Sequence, residues 1–170
     1  NAAFLRDPPL RTRLTNPDYE VELVSDDQDC LTVAFETVGV DPGAVVGVGL
    51  SHLHLDHVGG LRWFVGQAPV HCQRRELAFG LADPAAAEAQ YMHRMDYDDP
   101  RTDWRLADGD VEIAPGITAV ATYGHTAGHQ SFVVDLPGGG GFVFAFDAAD
   151  LQENLDAEIA MLVKLASPRS

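Results

Sequence analysis

The 170-residue sequence carries 26 acidic against 11 basic side chains, a formal charge of −15, and 46% of it is hydrophobic. That is enough apolar chain for a core, while the acid excess argues against nucleic acid and anionic membrane surfaces, whose affinity comes from Lys and Arg on phosphates. No apolar run reaches the ~18 residues that span a bilayer, and Cys30 and Cys72 are too few for a disulfide scaffold. The expectation is one cytoplasmic domain over residues 1–170, part of a longer chain.

Residues 1–20, rich in Pro, Arg and Asp, show no period and read as loop. Ser25 is placed to cap a helix with Leu31, Ala34, Phe35 and Val38 on one face, ended by the Asp41-Pro42-Gly43 turn. The run over residues 44–50 has the composition of a strand covered on both faces. A helix over residues 61–65 and a strand over 69–72 follow, and 74–95 reads as two helical pieces broken at Asp83-Pro84. Short β-rich runs then cluster at 111–113, 117–122, 131–136 and 142–146, the last two as a hairpin of buried strands. Their Gly-rich connection, with no helix start or Lys-Ser/Thr after it, is a turn and not a phosphate cradle. A helix over 157–166 ends the pattern. Helices alternating with strands, then clustered strands, predict a layered α/β fold with mixed sheets and helices outside.

Five of the seven histidines fall in two short stretches, SHLHLDHVGG (His52, His54, His57) and GHTAGHQS (His125, His129). At this composition chance produces the first pattern in on the order of one chain in a thousand, so a loop of ordinary surface histidines is a poor account of it. His52 and His54, two apart in extended chain, point the same way and can share a cation. Asp56 and His57 turn away at a helix start and can face a second one. Imidazole and carboxylate suit hydrolytic Zn²⁺, Fe²⁺ or Mn²⁺, and two cations about 3.5–4 Å apart can hold a hydroxide and polarise a carbonyl. His71, His93, Trp63 and Trp104 read as packing residues, and Cys30 and Cys72 as inert thiols.

HLHLDH before Gly59-Gly60, then GHTAGHQS, then Asp147 after FVFAF resemble, in that order, the motifs of the metallo-β-lactamase superfamily, over about residues 25–165. The resemblance implies an αββα sandwich, here incomplete at both ends. It implies His52, His54 and His125 on a first metal, Asp56 and His57 on a second, and Asp147 bridging them. The cofactors would be two divalent ions, zinc foremost, with iron, manganese or cobalt as alternatives. His129 would buttress its loop from behind.

The closer resemblance is to the N-acyl homoserine lactonases, the quorum-quenching lactone hydrolases. It rests on VGVDPGAVVGVGLSHLHLDHVGGL, VHCQRREL, DGDVEIAPGITAVATYGHTAGHQS and FAFDAADLQENLD. The implied reaction is lactone opening by a metal-bridging hydroxide, with Asp56 or Asp147 shuttling the proton. The implied partner is a small lactone or ester, with no nucleic acid or membrane, and a homodimer is compatible with it. Tyr91, Met92, Met95 and Tyr97 are candidates for an acyl groove, although such a stripe is more often core. The rivals are another ester, thioester or lactone metallohydrolase of this fold, and a metal-binding domain without turnover. Three features depart from the family pattern. No His follows His129 to serve as a seventh ligand. Asp150 stands where many lactonases place a substrate-binding Tyr, as a substrate contact or simply a polar helix residue. No strands ending in Asp-Thr-Gly precede Asn1.

Overall fold

The computed structural model describes residues 31–149 and Asn154. Ser25, Cys30, Asp150 and the helix expected over 157–166 lie outside them. Helix α1 (Leu31–Val38) turns Phe35 edge-on to Phe64, ring centres 6.1 Å apart. A 3-10 turn at Pro42–Ala44 follows, opened by the Asp41 carboxylate, which accepts from the Gly43 amide at 2.9 Å.

The first half builds a three-stranded parallel sheet, β1 (Val48–Gly49), β2 (Val70–Gln73) and β3 (Trp104–Ala107), in that order. Each connection crosses over through helical chain, which is what parallel neighbours require. Between β1 and β2 lie α2 (Leu55–Val58) and a 3-10 turn at Leu61–Trp63. Between β2 and β3 lie α3 (Arg74–Ala82), α4 (Pro84–Glu88) and a 3-10 turn at Arg94–Asp96. The break at Asp83-Pro84 is a new helix start: Asp83 accepts from the Ala85 and Ala86 amides, and Pro84 occupies the first turn.

The second half is a four-stranded antiparallel sheet, β4 (Val111–Ala114), β5 (Ile117–Ala121), β6 (Gln130–Asp135) and β7 (Gly141–Phe144), in sequence order. Its connections run directly between adjacent strands. The β6–β7 turn closes with the Leu136 amide on the Gly140 carbonyl, and Gly138, Gly139 and Gly140 all take positive φ, which any side chain would resist.

Several expectations are corrected. The two sheets are not mixed among the described residues; each keeps one strand polarity. The strand expected over 44–50 shrinks to two residues, because the turn takes Ala44 and the Val46 side chain is left in the open. The helix expected over 61–65 is a single 3-10 turn. Strand β3 is not legible in the sequence, because its alternation covers only Trp104, Arg105 and Leu106. β7 is an edge strand among the described residues, so its Phe142, Val143 and Phe144 are exposed rather than buried. Trp63 is exposed as well, with the Arg62 guanidinium 6.0 Å from its ring. Met92 and Tyr97 are core, Tyr97 donating to the Gly80 carbonyl at 2.8 Å, whereas Tyr91 and Met95 face outward. Those four side chains therefore share no groove.

The core lies on the helix side of the parallel sheet, where Leu50, Leu53, Val58, Val70, Cys72, Leu77, Met92 and Tyr97 pack together. Burial holds the Cys72 thiol well above its ordinary range, with the charge of Glu76 adding to the effect, in keeping with an inert thiol. A polar seam joins the sheets. Gln73 of β2 donates to the Gln130 side chain at 2.9 Å, and Gln130 donates to the carbonyls of Leu50 and His71. Close approach is needed beside it: a Cβ on Gly49 would stand 2.7 Å from the Phe132 ring. The seam brings the loop after β1 next to the loops after β5 and β7.

Candidate metal centre

Those loops carry the histidines. After β1 the chain stays extended through His54, which precedes the first turn of α2 with φ −62° and ψ 147°. His52 and His54 therefore lie on one side, and α2 carries Asp56 and His57 around the corner. The β5–β6 loop supplies His125. Asp147 arrives in a 3-10 turn, Phe146–Ala148, rather than on strand, because β7 stops at Phe144 and Phe146 takes φ +50°. A left-handed aromatic residue is strained, and here it turns Asp147 toward the histidines.

One donor atom from each of His52, His54, His125 and Asp147 lies within 4.8 Å of the others. Asp147 Oδ2 is 3.1 Å from His125 Nε2 and 3.6 Å from His52 Nε2, and its Oδ1 is 3.2 Å from His57 Nε2. His125 Nε2 stands 3.1 Å from His54 Nδ1. Asp56, largely exposed, reaches His57 at 3.6 Å. Asp147 is thus the acid that touches both the three-histidine group and the His57 side.

His52 is fully buried at the centre, its ring centre 4.1–5.1 Å from those of His57, His54, His125 and His129. Its Nε2 finds no hydrogen-bond partner among the described residues. A buried polar atom without a partner costs free energy, and a lone pair beside two imidazoles and a carboxylate is what a divalent cation takes up. The donor set fits a metal ion. Burial, then the neighbouring imidazoles, pushes His52 down to about 2, and burial lowers His54 also. Both are therefore neutral near pH 7, the form that ligates.

His129 is fixed by a one-way chain of hydrogen bonds. Ser131 Oγ donates its proton to the Ala145 carbonyl at 3.0 Å, so it accepts from Thr122 at 2.9 Å. Thr122 must then accept from His129 Nδ1 at 2.8 Å. This assigns the proton to Nδ1 and ties the His125 loop to the residue two before Asp147. Burial, and the neighbouring His125 and His57, hold His129 down at about 4.

A pH dependence follows for the metal-free protein. In the unfolded chain both histidines titrate near 6.5, so below that pH the unfolded chain binds more protons than the native one. The contribution of His52 and His129 to stability is level above about pH 6.5 and falls on acidification toward pH 4. Urea midpoints measured across that range without metal should show this slope, and a flat profile would refute it.

Sequence reasoning missed the residues behind the ligands: Ser51, Thr122, Ser131, Gln73, Gln130 and Glu76. Ser51 Oγ lies 3.2 Å from His52 Nδ1 and 3.3 Å from His57 Nδ1. The available signal was position, since Ser51 opens the first histidine stretch, Ser131 closes the second, and Thr122 lies just before it, one residue past β5.

The family model of the metallo-beta-lactamase superfamily matches residues 26–155. The chain belongs to the metallo-beta-lactamase superfamily. It is 29% identical over 133 residues to N-acyl homoserine lactonase AiiA of Bacillus thuringiensis subsp. kurstaki, covering 78% of this chain and 50% of that protein. With N-acyl homoserine lactonase AttM of Azorhizobium caulinodans it shares 35% identity over 133 residues, 75% of this chain and 49% of AttM. Among solved structures it resembles a point mutant of B. thuringiensis AiiA with N-decanoyl-L-homoserine bound at the active site, at a TM-score of 0.66 and 28% identity, over 78% of this chain and 50% of that one. A structure of N-acyl homoserine lactone hydrolase with N-hexanoyl-L-homoserine bound at the catalytic metal center matches with the same TM-score, identity and coverage. The fold is that of this superfamily, two sheets with helices, and the chain spans about half the length of the relatives it matches. No helix among the described residues is long and apolar enough to cross a membrane.

Proposed function

We propose that the chain is the metal-binding part of a hydrolase that opens the lactone ring of N-acyl homoserine lactones. The observation that carries the reading is the convergence of His52, His54, His125 and Asp147 around a buried His52 Nε2 that makes no hydrogen bond among the described residues. The names of the relatives supply the substrate class.

His52, His54 and His125 would hold a first ion, Asp56 and His57 a second, and Asp147 both, zinc being the first choice for this donor set. The chemistry supplied by bound divalent metal is Lewis acidity, which polarises the lactone carbonyl and lets water act as a nucleophile at neutral pH. Asp147, half-shielded against three imidazoles, is placed to accept the proton of the attacking water. That same proton would then pass to the leaving alkoxide, from Asp147 itself or by way of Asp56, exposed beside His57. Ser51 and the Ser131–Thr122–His129 chain keep the rings in fixed orientations, so that less order is lost on reaching the transition state. Asp150, a candidate for the substrate amide, lies outside the described residues. A reducing compartment such as the cytoplasm suits the free, buried Cys72 thiol.

The test is ring opening, followed as acid release, by metal-loaded protein on N-acyl homoserine lactones of several acyl lengths beside simple esters and thioesters. Preference for the lactones is expected. Equal turnover of esters would move the assignment to a general esterase of this fold, and tight metal binding without turnover would make it a binding domain.

A further inference from the structure

Glu76 enters at the first turn of α3, directly after β2, and its side chain is wholly buried. Both carboxylate oxygens receive hydrogen bonds. Oε1 accepts from the Leu53 amide at 3.0 Å, and Oε2 accepts from the Thr126 hydroxyl at 2.8 Å and the Gly128 amide at 2.6 Å. Leu53 sits between His52 and His54, Thr126 follows His125, and Gly128 precedes His129. One side chain therefore holds both histidine stretches, which come from loops on different sheets and are separated by about seventy residues.

The loop is shaped to reach it. A Cβ on Gly128 would stand 2.5 Å from the Glu76 amide nitrogen and 2.7 Å from its Cβ. No side chain fits there, so this stretch lies directly against the start of α3. All three partners are donors and none is a basic side chain. Only a carboxylate offers two acceptor oxygens with no hydrogen of its own. A glutamine of the same size would turn an NH₂ group toward one of the two amides, leaving donor against donor. Burial makes the anion costly and raises its pKa, with the three hydrogen bonds working against that rise. An acid retained under that cost needs a structural return, and the geometry supplies it.

We propose that Glu76 is the positioning residue of the metal centre, its one carboxylate setting the spacing between the His52–His54 stretch and the His125 loop. It touches no ligand atom and acts through backbone amides and a hydroxyl next to the ligands. The effect on ion affinity rests on the metal-centre reading, whereas the clamp itself is a property of the metal-free chain.

The experiment compares the full chain with Glu76→Gln, Thr126→Ser and Thr126→Val. Zn²⁺ and Co²⁺ affinities are measured by chelator competition, the Co²⁺ visible spectrum is recorded, and amide exchange at Leu53 and Gly128 is followed without metal. Partners outside the ligand shell are worth about 10–100-fold in metal affinity. Glu76→Gln is expected to lose that much, shift the Co²⁺ bands and speed exchange at both amides. Thr126→Ser, which keeps the donor, is expected to bind as the parent does, while Thr126→Val binds more weakly. Parent-like affinity and exchange in Glu76→Gln would overturn the proposal. Should that variant not fold, equal affinities for the two Thr126 variants would overturn it. If the parent chain takes up no metal, the metal-centre reading falls. Exchange at Leu53 and Gly128 then decides the clamp alone: faster in Glu76→Gln supports it, unchanged refutes it.

Discussion

Replacing Asp147 by asparagine is expected to remove hydrolysis while leaving the fold in place. The side chain keeps its shape, and its half-exposed position gives the new amide access to water. What disappears is the single negative charge that faces His125 at 3.1 Å, His57 at 3.2 Å and His52 at 3.6 Å. The imidazoles would then face a dication with only Asp56 left to balance it, and the shared oxygen pair that reaches both sides would be gone. The loss in metal affinity should exceed the ~10–100-fold expected of outer partners, and ring opening should fall by ~10³-fold or more, since the proton acceptor goes with the ligand. Chelator competition and acid release measure the two effects, and a thermal melt of the metal-free protein guards against unfolding. Undiminished metal affinity in Asp147→Asn would remove Asp147 from the ligand set.

The second large effect is expected at Leu53, which no assay of chemistry would single out. It lies between His52 and His54, is fully buried in the core cluster, and its Cδ1 would be 2.8 Å from a Cβ placed on Gly80. Leu53→Ala removes three carbons from a site with no slack, at a cost of about 3 kcal/mol and within the 2–5 kcal/mol usual for buried leucine. The cavity would open beneath His52 and His54, so weaker metal binding should accompany the lower urea midpoint. Leu53→Met keeps the volume and should cost less than about 1.5 kcal/mol. A Leu53→Ala loss below about 1 kcal/mol would show that the stretch can collapse, and that its rigidity has another source.

The two histidine stretches were legible because their chemistry is local. His52, His54, Asp56 and His57 lie within six residues, and the Gly-rich run after Leu136 announces its own turn. The short-range signals also found the Asp83-Pro84 break, since a capping acid and a helix-opening proline are neighbours in sequence. Other features depend on partners far along the chain. Strand β3 alternates only over Trp104, Arg105 and Leu106, too short a run to stand out; it is a strand because β2 pairs with it over four residues. β7 reads as buried from its phenylalanines, but burial depends on what covers an edge, and β6 covers one side only. Glu76 in the run Arg74-Arg75-Glu76-Leu77 looks like any solvated helix start. Nothing local says that three donors from residues 53, 126 and 128 converge on it. Gln73 and Gln130 escaped for the same reason, each polar side chain being explained by the other.

The polar seam between the sheets has a consequence for the order of assembly. Each sheet is built from one continuous stretch of chain, so each can form its own ladders early. His54 and His125, 71 residues apart, meet only once the sheets have docked. An ion held by both would recognise the docked arrangement and nothing earlier, and at a hundredfold excess over its dissociation constant it would add about 2.7 kcal/mol to that final step. Chelation would remove that contribution and leave the joint to the Gln73–Gln130 seam and the Glu76 carboxylate, which hold without metal.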